Sequence, residues 1–126
     1  MSIHLFLITS FAIDYLKDML EWKDMEIETV NKNIDVFLKN LEPAMKARTL
    51  RIIDLLSDYN YKLSLPYSKS LRDGLFELRI IGKKQIRIIY CFHKQKIYLL
   101  HSFFKKQNKI SKKDLNLAIK RRNLLI

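Results

Sequence analysis

Between Leu75 and Phe104 three apolar, β-branched runs, Leu75 to Ile81, Gln85 to Phe92 and Ile97 to Phe104, are separated by only three or four residues. Parallel strands need a crossover of about a dozen residues or more, so connections this short allow only antiparallel neighbours. The spacing predicts a meander with Gly82-Lys83-Lys84 and His93-Lys94-Gln95-Lys96 as its turns. Side chains alternate along a strand, which sets Phe76, Leu78 and Ile80 against Glu77 and Arg79 in the first run. The second run sets Ile86, Ile88 and Tyr90 against Gln85 and Arg87. With the apolar sets turned to the core, Glu77, Arg79, Gln85 and Arg87 share the other face, and Tyr90 is core.

The remaining elements follow from shorter signals. Met25 to Thr29 alternates like a half-buried strand, with Glu26 and Glu28 on its polar side. A short helix is expected from about Asp35, and Pro43 fits the first turn of a longer one running to about Ser57. Met45, Ile52, Ile53 and Leu56 form the apolar stripe of that helix, with Lys46, Arg51, Asp54 and Asp58 opposite. Ser111 reads as the N-cap of a last helix to about Asn123, with Asp114 as its capping-box partner. The expected fold is α+β: a small, antiparallel-rich sheet of about four strands, two N-terminal helices and a C-terminal helix.

At 126 residues, with 48% apolar and 29% charged side chains and only two Gly and two Pro, the chain is long enough for one core and too apolar to be disordered. Ile3 to Ile13 is its most apolar run, but too short for a membrane-spanning helix, which needs about 18 residues or more. It also lacks the positive start and cleavage site of a secretory signal. Residues 1–24 read as an N-terminal extension, core-packing or partner-contacting, ahead of a domain spanning 25–126. The lone Cys91, in an apolar run, is expected to be a buried thiol. One Cys and the scattered His4, His93 and His101 do not make a structural zinc site, so no metal or other cofactor is expected.

The net charge of +11 is unevenly placed. Residues 1–66 hold 8 Lys and Arg against 10 Asp and Glu, whereas residues 67–126 hold 16 against 3. Charge confined to one half makes a directional field, and nucleic acid is the leading partner class; an acidic protein or a solvated surface is the plainer alternative. Arg79 and Arg87 on adjoining strands repel unless an anion or a carboxylate lies between them, which suggests a phosphate site; the plainer alternative is Glu77 pairing with one arginine on an exposed face. Phe103 and Phe104 run straight into Lys105 and Lys106, with Lys109 close behind, a pattern suited to stacking bases and holding backbone. At least one of these phenylalanines is expected to end the core strand instead.

Leu71-x-Asp73-Gly74-Leu75-Phe76-Glu77-Leu78-Arg79, then Arg87-Ile88-Ile89-Tyr90, then Leu99-Leu100-His101-Ser102-Phe103-Phe104-Lys105-Lys106, with a later Ala118, resembles the phage-derived HigB branch of the RelE/ParE toxin superfamily. The resemblance spans roughly residues 26 to 123. It implies a ribosome-dependent endoribonuclease that cleaves messenger RNA in the cytoplasm as the toxin of a type II toxin-antitoxin system, with a helix-turn-helix, HigA-like antitoxin as partner. Carried over by motif, Arg79, Arg87, Lys105 and Lys106 are the catalytic cations. The chain departs from the common pattern in lacking a glycine before Arg87 and a proline before the last helix. Glu77, Tyr90 and His101 are the candidates for proton transfer, since arginine stays protonated near neutral pH, with Tyr90 on the core-facing parity and a structural role for His101 an equal alternative; Lys83, Lys84, Phe104 and Lys109 are expected to bind RNA. Two other readings stay open, a ParE-like inhibitor of DNA gyrase that is no nuclease and a plain nucleic-acid-binding module.

Overall fold

Alternation along the meander creates two unlike faces, one wholly apolar and one mixed, and each needs its own cover. In the computed structural model, which describes residues 24–125, the order is β1 (Ile27–Thr29), α1 (Lys32–Lys39), α2 (Pro43–Tyr59), β2 (Ser68–Ser70), β3 (Phe76–Ile80), β4 (Ile86–His93), β5 (Lys96–Phe104) and α3 (Lys112–Asn123). The expected core-packing or partner-contacting segment Ile3 to Ile13, and all of 1–24 except Asp24, lie outside the described residues. The strands form one sheet in the order β1-β5-β4-β3-β2. It is an α+β fold, as expected, with five strands rather than about four. The extra strand is β2, antiparallel to β3, and β1 runs parallel to β5, so the sheet is mixed.

The apolar face of the meander, Leu78, Ile80, Ile86, Ile88 and Tyr90, is joined by Ile97 and Leu99 and covered by Ile34 of α1 and Met45 and Leu56 of α2. A second, smaller core lies on the mixed face, where α3 brings Ala118, Leu115 and Ile119 onto Leu75, Ile89, Cys91 and Leu100. Both cores draw on β5, whose side chains alternate between the faces, and β5 also carries an extra residue: Ile89 pairs with His101 but Tyr90 pairs with Leu99, leaving Leu100 as a bulge. Past the bulge the parity of β5 reverses, and His101 and Phe103 fall on the face of Arg87.

Local chemistry explains the ends of these elements. The Asn31 side chain accepts from the backbone N–H of Asn33 at 2.7 Å, which starts α1 earlier than Asp35. Pro43 stands in the first turn of α2, and Ser111 caps α3 by accepting from the N–H of Asp114. Gly82 lets the turn after β3 lie against α2: a Cβ there would meet Met45 Sδ at 2.5 Å, while Arg48 Nη1 donates to the Ile81 carbonyl at 2.7 Å. Lys94 and Gln95 both take positive φ, the backbone of the two-residue hairpin turn whose twist matches its strands. Lys96 draws the outer edge in, with its Nζ 3.1 Å from Glu28 and 3.5 Å from Glu26. Among the described residues no helix is long and apolar enough to cross a membrane.

Two buried side chains generate predictions. The Thr49 hydroxyl on α2 is buried with no hydrogen-bond partner among the described residues. An unpaired buried hydroxyl costs about 1–3 kcal/mol, so Thr49→Val is expected to raise the urea midpoint by an amount equivalent to about 1 kcal/mol; a lowered midpoint contradicts this account. Cys91 is buried and free, and burial pushes its thiol up to about 11 against the smaller opposing effect of Arg122. The native protein is expected to resist iodoacetamide at pH 8 and to be alkylated only after unfolding, as read by mass spectrometry.

Candidate active site

The antiparallel register of β3 and β4 places Arg79 directly opposite Arg87, and that of β4 and β5 places Phe103 opposite Arg87 on its other side. Two guanidinium groups so paired require an acceptor. Glu77, two residues before Arg79 on the same face, supplies it: its Oε1 accepts from Arg79 Nε at 2.9 Å and stands 3.7 Å from Arg87 Nε. Glu77 and Arg87 are both buried, so this is no surface ion pair of the kind the sequence left open. Arg87 also donates to Gln85 Oε1 at 2.9 Å and to the Ile86 carbonyl at 3.1 Å. Burial, aided by Arg79 and opposed by Glu77, lowers the Arg87 pKa from its ordinary value.

Helix α3 covers only part of this face. Its last turn is pinned by Arg121 Nη1, which donates to the Leu100 carbonyl at 2.8 Å, and by Arg122, which donates to the Asp73 carbonyl in the turn before β3. Between its first turn and the exit of β5 a hollow of about 490 Å³ stays open. Glu77 and Arg87 reach it from the sheet, and Lys105, Lys106 and Lys109 border it from the connection into α3. Lys113 and Asp114 close its far side, so five cationic side chains meet two carboxylates there. Among the described residues no group of three or more His, Cys, Asp or Glu side chains is placed to hold a metal ion.

The residues expected to act together are partly separated. Glu77, Arg87, Lys105, Lys106, Lys109 and Phe104 share the hollow. Arg79, about 27% exposed, reaches it only through Glu77 and itself borders a different depression beside Arg48 and Tyr67. His101 stands behind the site: its Nε2 is 2.7 Å from Asp114 Oδ1, its ring stacks on Phe103 with centroids 5.1 Å apart, and it does not line the hollow. Lys83 and Lys84 border a second hollow of about 430 Å³ at the α2 side of the sheet end, with Phe104 common to both. Tyr90 is buried in the core, its hydroxyl 2.5 Å from Ser68 Oγ, and burial raises its pKa despite that bond.

Sequence reasoning passed over Asp114 as more than a capping residue. Its carboxylate also holds His101 and takes a 2.7 Å hydrogen bond from Ser111 Oγ, fixing the first turn of α3 to β5. The one sequence signal, a carboxylate at the third helical position, said nothing of a distant histidine. Burial alone would push the Asp114 carboxyl up, but the hydrogen bonds from His101 and Ser111 outweigh it and hold the carboxyl below its ordinary value. A carboxyl depressed in the folded state contributes stability above the unfolded value, near 4, and loses it as pH falls through the folded value. Asp114→Asn is therefore expected to flatten the acid side of the stability profile, below about pH 5, relative to wild type in urea titrations; parallel profiles refute the tie.

A family model described as phage derived protein Gp49-like (DUF891) matches residues 36–123, from inside α1 to the end of α3. No curated protein matches the chain.

Proposed function

The chain belongs to the phage derived Gp49-like family, a RelE/HigB-type toxin-like family, and from that membership and the cations gathered at Arg87 we propose that it is the toxin of a type II toxin-antitoxin system. In this reading residues 25–126 are the toxin domain, with residues 1–24 as an extension. It acts in the cytoplasm as a ribosome-dependent endoribonuclease on messenger RNA, and a helix-turn-helix, HigA-like antitoxin neutralises it. The observation that carries the nuclease reading is the hollow itself: a buried, desolvated Arg87 at its floor and three lysines at its rim converge on one solvent-open space. A surface meant only to bind protein has no need to bury a guanidinium beneath a group of lysines. Such fixed cations suit a phosphate, whose transition state gathers negative charge.

The proposed step needs no metal. The ribose 2′-oxygen attacks the neighbouring phosphorus while Glu77 takes its proton. The bond from phosphorus to the 5′-oxygen breaks, leaving a 2′,3′-cyclic phosphate and a 5′-hydroxyl whose proton comes from Lys105 or Lys106. Arg87 stabilises the phosphoryl oxygens directly. Arg79 holds Glu77 in place through its 2.9 Å hydrogen bond, and His101 acts from behind by holding Asp114 and the start of α3. Because arginine does not give up its proton near neutral pH, its role is charge and position. The ribosome holds the substrate in line, which lowers what the protein must contribute in acid and base catalysis.

The test is to add purified protein to a translating extract and map RNA ends with and without ribosomes. Cuts that require ribosomes and leave 5′-hydroxyl and cyclic phosphate ends are the expected result; intact RNA together with gyrase inhibition refutes it. In protein shown by circular dichroism to be folded, Arg87→Ala is expected to slow cutting by about a hundred- to a thousand-fold, the range for losing one preorganised donor. Wild-type cutting by a folded Arg87→Ala protein excludes the proposed phosphate site.

A further inference from the structure

The second hollow neighbours the one over Arg87. Phe104 forms a wall common to both hollows and is about 36% exposed. One side of its ring rests on Phe37 of α1, with centroids 5.0 Å apart, and Lys84 Nζ stands over the ring 5.3 Å from its centroid. The floor is Leu41 and Met45, both buried, and the rim carries Asn40, Glu42, Lys83 and Lys84. An apolar floor, an aromatic wall and a few convergent polar groups in a space of about 430 Å³ suit a small planar ligand. Glu42 stands at the N-cap position of α2 without capping it, so its side chain is not committed there.

We propose that this hollow is a nucleobase subsite that favours guanine, with Phe104 as the stacking surface and Glu42 and Lys84 reading the base edge. It rests on the nuclease reading above and deepens it by naming what selects the substrate. A base stacked on an aromatic side chain contributes more than a cation resting over an exposed ring. The base therefore displaces the Lys84 ammonium from the ring, and the long side chain swings to the base. The choice among bases follows from the donors and acceptors available: a carboxylate only accepts and an ammonium only donates. Guanine offers two adjacent donors, N1–H and the 2-amino group, to Glu42, and two adjacent acceptors, O6 and N7, to Lys84. Adenine and cytosine offer a single donor group with acceptors beside it, and uracil a lone N–H between two carbonyls. Asn40, with both donor and acceptor capacity, is neutral in this choice.

The experiment titrates the full chain, without ribosomes, with the four nucleoside 3′-monophosphates and with inorganic phosphate, following ring resonances by NMR. Guanosine 3′-monophosphate is expected to bind at least about five-fold more tightly than the uridine nucleotide and to shift the Phe104 ring. Phe104→Leu should weaken it by about five-fold or more, the lower end of the stacking range. Glu42→Gln, at an exposed position with no capping bond to lose, should bring the four nucleotides to similar affinity. Equal binding of all four by the wild type, or a guanine preference that survives both substitutions, overturns the proposal. In the ribosome assay the excess of guanine at cut sites should fall in Glu42→Gln. Absence of any cutting counts against the nuclease reading alone, since the titration decides the subsite by itself.

Discussion

Two arginines facing each other across neighbouring strands would push those strands apart, and one carboxylate keeps them together. Glu77 lies within 2.9 Å of Arg79 and 3.7 Å of Arg87 through a single oxygen. Burial raises the stakes, because a charge away from water must be matched closely or the group is severely destabilised. That match depends on register: a slip of one residue between β3 and β4 would send Arg87 into the apolar core and bring Ile86 to the mixed face. Gln85 and the Ile86 carbonyl complete the set by taking the outer guanidinium nitrogens. The site and the central strand pairing are thus one arrangement.

Much of this was legible in the sequence because it is local. Alternation fixed the faces of β3 and β4, short connections fixed their antiparallel sense, and Pro43 and Ser111 marked helix starts within a residue or so. What escaped depends on distant partners. β2 is three residues, Ser68-Lys69-Ser70, with no apolar pattern, and it is recognisable only once β3 beside it and the Tyr90 hydroxyl beneath Ser68 are known. The parallel pairing of β1 joins residues 27–29 to 97–99 and leaves no mark in either segment. The face of His101 depended on the bulge at Leu100, which an unbroken run of apolar residues conceals.

The basic half of the chain also sorted itself in ways composition does not reveal. Of its cations, Arg121 and Arg122 hold the last helix in place and Lys96 holds the sheet edge, all structural tasks. Lys105, Lys106 and Lys109 surround the hollow over Arg87, while Lys83 and Lys84 belong to its neighbour across Phe104. A total charge therefore overstates how much of it bears on a ligand. Membership of the Gp49-like family agrees with the arrangement in the matched span, which contains every one of these side chains.

The way α3 closes the hollow has a consequence for the order of assembly. The meander is built from neighbours in sequence and can form as soon as residue 104 is available, whereas β1 waits for β5 across the length of the sheet. Asp114 and Ser111, which set the far wall, and Arg121 and Arg122, which clamp it, all come later still. A growing chain can thus hold a nearly complete sheet with Arg87 already seated and yet have no enclosed site. The hollow comes into being only when that helix docks.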